Sequence, residues 1–299
     1  MRGTRALASL VAIAFLVTAC GGGAAPQPAA SATGGQTQTD PCKKVTFEVQ
    51  TYMAQVQRNG KLRAGVREDD IVFGNKNPTT NRYEGFDIDI VREIAKAIFN
   101  VGDDKVDGCI EYTPVVSATR IPSLTDNKVD LVAATMTITA DRKKQVDMSD
   151  VYFLAHQDIL VKKDNTSIKS VTDLNGKTVC AAKGSTSEAN IRAKAAQAKL
   201  LLLDSYPPCL QALQQDQAQA VSTDDAILAG LVKRDPNTKI VGAPFTDEPY
   251  GLAIRQGRTA FLDFVNRTIT TLITNGTWRK LYDKHLKPLT GVSKGAPEQ

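Results

Sequence analysis

The residues best placed to do chemistry lie in one stretch, Val129 to Tyr152, VDLVAATMTITADRKKQVDMSDVY. It opens as an apolar run suited to a buried strand, passes into a threonine-rich turn and presents Arg142 five residues after Thr137. Hydroxyls and free amides at a strand end, with one guanidinium beside them, suit a carboxylate. The guanidinium fork gives two parallel charge-assisted hydrogen bonds and the amides supply more. A metal site is not expected: no CxxC occurs, and His156 and His285 lie far from the cysteines in sequence. No histidine falls in a catalytic motif, and no cofactor fingerprint is present.

Those side chains need strands and helices to hold them. Leu62–Val66 reads as a first strand, and Phe86–Phe99 as a helix with Ile88, Val91, Ile94, Ala95 and Ile98 apolar. Strands are expected at Ile110–Val115 and Asp130–Ala134, with a helix starting at Arg120–Leu124 between them. This is the βαβ rhythm of an open, mainly parallel sheet flanked by helices. A second unit repeats the alternation: strands at 159–161, 178–182, 200–203 and 220–222, and helices at 170–174, 185–198, 209–215 and 224–233. The chain then re-enters strand-like sequence at Tyr250–Ile254 and ends in helices over 261–274 and 277–284, which complete the first unit. The expectation is therefore an α/β protein of two lobes: 45–155 plus 247–299 as lobe 1, and 156–246 as lobe 2. Two crossovers, near 153–158 and 243–249, form a hinge with a ligand cleft between the lobes.

The N-terminus reads as a leader. Arg2 and Arg5 precede an apolar segment, Ala6 to Thr18, too short for a comfortable membrane span. It ends in Val17-Thr18-Ala19-Cys20, which resembles a bacterial lipobox, so residues 1–19 are expected to be a signal peptide and Cys20 to be lipidated. Residues 20–44 read as a flexible linker, rich in Gly, Ala, Ser, Thr and Gln. The formal charge of +5 is mild, and removing Arg2 and Arg5 takes 37 basic side chains to 35 against 32 acidic ones. No basic array suggests nucleic acid. Cys42, Cys109, Cys180 and Cys209 remain in an exported chain and favour two disulfides. Of three possible pairings, Cys42–Cys109 and Cys180–Cys209 keep each bond within one lobe.

Several motifs in order then resemble one family. They are Gly85-Phe86-Asp87-Ile88-Asp89-Ile90 with Ile94-Ala95 and Ile98; MTIT and Arg142; VDMSDVYF; DLNGKTV (173–179); KGSTSE (183–188); and NGTWRKLYDKH (275–285). Over roughly residues 60–286 the chain resembles the family 3 extracellular solute-binding proteins, the polar amino-acid receptors of ABC importers. The resemblance implies a type II periplasmic-binding-protein fold and a monomer on the outer face of the cytoplasmic membrane, handing its ligand to a permease. It implies that Arg142 takes the α-carboxylate, helped by Ser185 and Thr186 at a helix start. Thr137 reaches the amino-acid backbone, and the Thr135 carbonyl and Asp224 hold the ammonium; alignment alone separates Asp224 from Asp225. One departure is Gln217-Ala218-Gln219-Ala220-Val221, where the family usually carries an acidic residue.

Two further segments bear on the ligand's side chain. Arg67-Glu68-Asp69-Asp70 leads to Phe73, and Ser117-Ala118-Thr119-Arg120-Ile121-Pro122 follows the second strand. Both resemble the glutamate/aspartate-binding members, so Arg67, Arg120 and Ser117 are expected at the side-chain carboxylate. Counting Arg67, Arg120 and Arg142 against Asp224 leaves two positive charges, which an acidic amino acid reduces. Simpler readings stand beside these. Arg67 could pair locally with its acidic neighbours, Asp224 and Ser185 could be helix caps, and Phe73 could be core. Two other functions are weighed: a sensor for glutamine, asparagine or glutamate that signals to a membrane partner, and a dehydratase on the same fold. The dehydratase lacks an uncommitted acid or base, so no enzyme is expected.

Overall fold

The computed structural model describes residues 40–298; the expected signal peptide, Cys20 and most of the linker lie outside them. The described chain runs α1 (Tyr52–Asn59), β1 (Leu62–Val66), β2 (Asp69–Asp70), β3 (Gly74–Lys76), β4 (Tyr83–Glu84), α2 (Phe86–Phe99), α3 (Asp103–Val106), β5 (Ile110–Pro114), α4 (Arg120–Thr125), β6 (Leu131–Ala133), α5 (Ala140–Lys143) and β7 (Asp147–Met148). It continues through β8 (Phe153–Lys162), β9 (Thr178–Ala182), α6 (Thr186–Lys194), β10 (Lys199–Leu203), α7 (Tyr206–Gln214), β11 (Ala220–Asp224), α8 (Asp225–Arg234) and β12 (Thr238–Tyr250). It ends with β13 (Ala253–Ile254), α9 (Thr259–Thr274), α10 (Thr277–His285) and α11 (Lys287–Thr290).

Two five-stranded sheets define two lobes, with orders β5-β1-β6-β13-β7 and β10-β9-β11-β8-β12. Each is parallel on one side and antiparallel on the other. The expected parallel core is thus present, and the returning strands β13 and β12 add the antiparallel half. The α2 helix buries Ile88, Val91, Ile94, Ala95 and Ile98 completely, as its spacing predicts. Gly85 begins it at φ 138°, and a Cβ there would lie 2.3 Å from the Phe73 carbonyl oxygen. Only glycine lets the β2–β3 turn rest on the helix start.

Three boundaries differ from expectation. The folded body starts before residue 45: Asp40 caps a short 3₁₀ turn, Pro41–Lys43, and Cys42 is buried and bonded to Cys109. The lobe crossings fall at 149–152 and 250–252, because β8 and β12 stay paired up to Phe153 opposite Tyr250. The two crossings also bond to each other, Ser149 N–H to the Leu252 carbonyl at 2.8 Å and Tyr152 N–H to the Tyr250 carbonyl at 3.0 Å. The α6 helix stops at Lys194 rather than 198, since Gln197 bonds across to Asn175 and Gly176 to start β10. Gln219, the departure from the family pattern, accepts from the Thr178 N–H at 2.8 Å and ties β9 to the segment before β11.

The lobes meet face to face. The α8 backbone at Gly230 approaches so closely that a Cβ would sit 3.0 Å from Val72 and 3.3 Å from Ile71. Arg234 Nη2 donates to the Asp69 carbonyl at 2.7 Å across the same seam.

Both expected disulfides form, with Cα separations of 5.4 Å for Cys42–Cys109 and 5.5 Å for Cys180–Cys209. The second bond spans 29 residues and pins α7 to β9. Constraining a loop of that length stabilises by about 3–4 kcal/mol. Replacing Cys180 and Cys209 by serine is expected to lower the melting temperature by about 6–12 °C in a thermal scan. An unchanged midpoint would show that the bond carries no stability.

Candidate functional site

Lobe 1 brings three guanidinium groups to the face of lobe 2. Arg67 follows β1 and is only 2% exposed. Its Nη2 donates to Asp69 Oδ1 at 2.8 Å, its Nε lies 3.9 Å from Asp70 Oδ2, and its guanidinium stands over the Tyr206 ring of lobe 2 at 5.4 Å. The locally paired reading therefore holds, although the residue is buried rather than on the surface. Burial works against the Arg67 charge, but Asp69 and Asp70 outweigh it and hold its pKa up.

Arg120, at the start of α4, is equally buried and is held differently. Its Nε donates to the Ser117 carbonyl at 3.2 Å, and its Nη1 to the carbonyls of Ala134 and Thr135, both at 2.9 Å. Ser117 thus contributes its carbonyl. Burial, then the nearby charges of Arg142 and Arg67, push the Arg120 pKa down to about 9. Thr135 adopts φ 48°, a left-handed conformation uncommon for a β-branched residue. Asp87 holds it there: Thr135 N–H donates to Asp87 Oδ2 at 2.9 Å, and Tyr152 Oη donates to Asp87 Oδ1 at 2.7 Å. Burial raises the Asp87 pKa to about 7. The Thr135 carbonyl, expected to face an ammonium, already accepts from Arg120.

Arg142, on α5, donates from Nη1 to the Thr137 carbonyl at 2.7 Å and reaches the Gly184 carbonyl of lobe 2 from Nη2 at 3.5 Å. Burial lowers its pKa, opposed by Glu248 and Asp224. Among the described residues neither Arg120 nor Arg142 forms an ion pair.

Lobe 2 answers with the start of α6 and the end of β11. Ser185 caps α6, accepting from the Glu188 N–H at 3.1 Å, as the capping reading had it. Thr186 Oγ1 lies 3.2 Å from Thr137 Oγ1 across the interface. Asp224 is buried, accepts from Tyr250 Oη at Oδ2 and leaves Oδ1 with no hydrogen-bond partner. It makes no side-chain cap for α8. Burial, then the charge of Glu248, raises its pKa to about 7. Asp225 points elsewhere and accepts from the His156 N–H at 3.2 Å. Phe73 lies in the aromatic cluster beneath the cleft, edge-on to Phe153 and Tyr250 with ring centroids 5.1 and 5.6 Å away.

Sequence reasoning missed Asp87 as an anchor, Tyr206 as the lid over Arg67, and Glu248. Glu248 is 2% exposed on β12 and takes hydrogen bonds from Thr137 and Thr186. Among the described residues no group of three or more His, Cys, Asp or Glu is placed to hold a metal, and no helix is long and apolar enough to cross a membrane. Among the described residues, then, Arg120 and Arg142 have no ion-pair partner, Glu248 and Asp224 act on Arg142 through their charge, and Asp224 Oδ1 accepts no hydrogen bond.

Residues 62–288 match the bacterial extracellular solute-binding proteins of family 3. The ABC transporter glutamine-binding protein GlnH of Bacillus subtilis is 44% identical over 79% of this chain and 84% of its own length. The glutamate-binding protein GluB of Corynebacterium glutamicum is 30% identical over 82% of this chain and 85% of its own. A solved ancestral arginine-binding protein bound to glutamine superposes with a TM-score of 0.69 at 41% identity, covering 76% of this chain and 97% of that one.

Asp87 makes a pH signature. Its folded pKa, about 7, lies above the ordinary 3.8. Between those values the folded state holds the extra proton, so stability falls as pH rises from about 4 to about 7 and levels off above. Asp87→Asn cannot ionise and should flatten that decline, leaving the part due to Asp224. Melting profiles of wild type and variant that run parallel from pH 5 to 8 would refute this.

Proposed function

The chain belongs to the bacterial extracellular solute-binding proteins of family 3, and we propose that it captures an amino acid between its lobes and presents it to the permease of an ABC importer. The observation carrying this is charge placement: Arg142 and Arg120 have no acidic partner, while Asp224 Oδ1 stands bare in the same interface. In this reading Arg142 takes the α-carboxylate and Asp224 the ammonium. Thr137, Thr186 and the α6 start at Ser185 close over the amino-acid backbone. Arg120, Arg67, Ser117 and the wall formed by Phe73 meet the side chain. The work is done by differential affinity of open and closed lobes, which suits a family of binders rather than enzymes.

The side-chain reading moves away from an acid. Asp69 and Asp70 offset Arg67, and Glu248 adds a further negative charge near Asp224. Three arginines then stand against four carboxylates, Asp69, Asp70, Asp224 and Glu248, so the surplus of positive charge counted from sequence does not remain. A neutral amide then fits better than a second carboxylate, and a glutamine-binding relative at 44% identity supports glutamine. Glutamate or aspartate is the second reading, favoured by Arg120, whose donors reach only backbone carbonyls. A signal peptide at 1–19, a lipid on Cys20 and a monomeric body tethered at the outer face of the membrane complete the proposal, supported by the lipobox-like sequence.

A calorimetric titration of the full chain tests the ligand class. Glutamine should bind more tightly than glutamate, and Arg142→Ala should weaken both by at least about a hundredfold, as expected for one buried partner of a charge pair. Arg120→Ala should cost glutamate more than glutamine. Undiminished binding by Arg142→Ala would remove that residue from the site. Tighter glutamate than glutamine would restore the acidic reading.

Proton linkage tests Asp224. A bound ammonium favours the ionised carboxylate, so binding below its pKa of about 7 must expel a proton. The apparent Kd should rise about tenfold per pH unit below 7 and stay level above it. Asp224→Asn should bind weakly with a flat profile. A flat wild-type profile would take Asp224 away from the ammonium.

A further inference from the structure

Glu248 sits where nothing in the ligand scheme requires a carboxylate, yet it is one of the most heavily bonded side chains in the interface. Its Oε2 accepts from Thr137 Oγ1 at 2.7 Å and Thr186 Oγ1 at 2.8 Å. Its Oε1 accepts from Asn190 Nδ2 and Thr246 Oγ1, both at 2.8 Å. An ionised carboxylate has about four acceptor sites, so this one is filled by the protein itself. Its donors come from both lobes: Thr137 from the turn after β6, Thr186 and Asn190 from α6. Asn190 also donates to Gln157 Oε1 on the other hinge strand, β8, at 2.7 Å.

We infer that Glu248 is the positioning residue that couples lobe closure to the carboxylate-binding arginine. Glu248 travels with lobe 2, because β12 remains paired with β8 through Glu248 opposite Ala155 and on to Tyr250. Thr137 belongs to lobe 1, so its bond to Glu248 joins the two lobes, as does the contact of Thr137 Oγ1 with Thr186 Oγ1 at 3.2 Å. The bond to Glu248 also fixes the residue whose carbonyl receives Arg142 Nη1 at 2.7 Å. Thr137 is further held by a backbone bridge to Tyr250, two residues beyond Glu248 on the same strand. Closing the lobes thus completes the Glu248 set and aims Arg142 in one movement, and opening must break a buried charge-assisted bond. Glu248 itself touches no ligand in this scheme. It sets how long the closed state lasts rather than which side chain is accepted.

The inference rests on the amino-acid reading only for its kinetic arm. Stopped-flow binding of glutamine to the full chain, followed by the emission of Trp278, gives association and dissociation rates separately. Glu248→Ala should raise the dissociation rate by about tenfold or more and leave association within about threefold, as closed-state contacts act mainly on dissociation; Thr137→Val, which also loses its own place at the amino-acid backbone, should raise dissociation at least as much. The double variant should be little worse than Thr137→Val alone, because both remove the same bond. Glu248→Gln, which keeps the shape and can still donate to the threonine oxygens, should fall between. The ratio of glutamine to glutamate affinity should not move in any of them. An unchanged dissociation rate in Thr137→Val, or fully additive effects, would overturn the coupling. If Glu248→Ala does not fold by circular dichroism, Glu248→Gln and Thr137→Val decide the matter. If wild type binds neither glutamine nor glutamate, the ligand reading fails on its own, and small-angle scattering settles the latch. A larger radius of gyration in Thr137→Val than in wild type supports it; identical radii refute it.

Discussion

Three guanidinium groups buried against one another between two lobes set the terms for the rest of this structure. Like charges at close range in a poorly solvated interface repel strongly, and each arginine is accommodated by a different means. Arg67 has carboxylates of its own loop, Asp69 and Asp70. Arg120 has three backbone carbonyls, two of them aimed by the left-handed turn at Thr135. Arg142 has the Thr137 carbonyl and, across the gap, that of Gly184. Carbonyl dipoles can hold a guanidinium in place without cancelling its charge, so the charges of Arg120 and Arg142 are not cancelled in this way while Arg67 is paired with two carboxylates. The unusual backbone at Thr135 follows from the same need: conformations of this kind persist where surrounding contacts over-determine them, and Asp87 with Tyr152 supplies those contacts.

The hinge is built from the most extensive strand pairing among the described residues, interrupted once between Val241 and Thr246. The β8–β12 ribbon carries His156 to Asp158 and Thr246 to Tyr250 from lobe 2 to the threshold of lobe 1. Its residues therefore belong to the fold and to the site at once. Tyr250 donates to Asp224, its backbone pairs with Thr137, and its ring packs on Phe73 and Phe153. Trp278 of α10 reaches the same place, donating from Nε1 to the Tyr152 carbonyl at 2.7 Å. The aromatic core of lobe 1 thus continues into the hinge, which ties the set of the two strands to side-chain packing.

Most of the scaffold was legible because its helices and strands bury whole faces. Phe86–Phe99, Leu62–Val66 and Thr178–Ala182 have the spans that apolar spacing predicts. The hinge strand β12 was not, since TKIVGAPFTDEPY contains two prolines and a glycine, breaks register between Val241 and Thr246, and carries no clean alternation. The arginines and Asp224 were legible from type and spacing, but their partners were not. Glu248 stands beside a proline in a segment that read as a crossover, with no pattern of its own to mark it as buried. Asp87 looked like an acidic residue at a helix start, favourable to the dipole. Yet Asp87 stands four residues before Val91 and seven before Ile94, on the face that packs inward, and that periodicity was the available signal. The pocket charge counted from sequence left out Asp69, Asp70 and Glu248, of which Asp70 and Glu248 are buried.

The seam at Gly230 carries a consequence of another kind. There the backbone of a helix lies close on Ile71 and Val72, so that an added methyl group would press on both side chains. Contacts of this sort are indifferent to ionic strength, whereas exposed charge pairs fade once salt shortens the screening distance to a few ångströms. This seam is thus closed mainly by aliphatic fit, with one guanidinium bond, Arg234 to the Asp69 carbonyl, beside it. Brackish or dilute surroundings should leave the grip of this receptor nearly the same, a useful property for a protein that works outside the cell, where no cytoplasm buffers the medium.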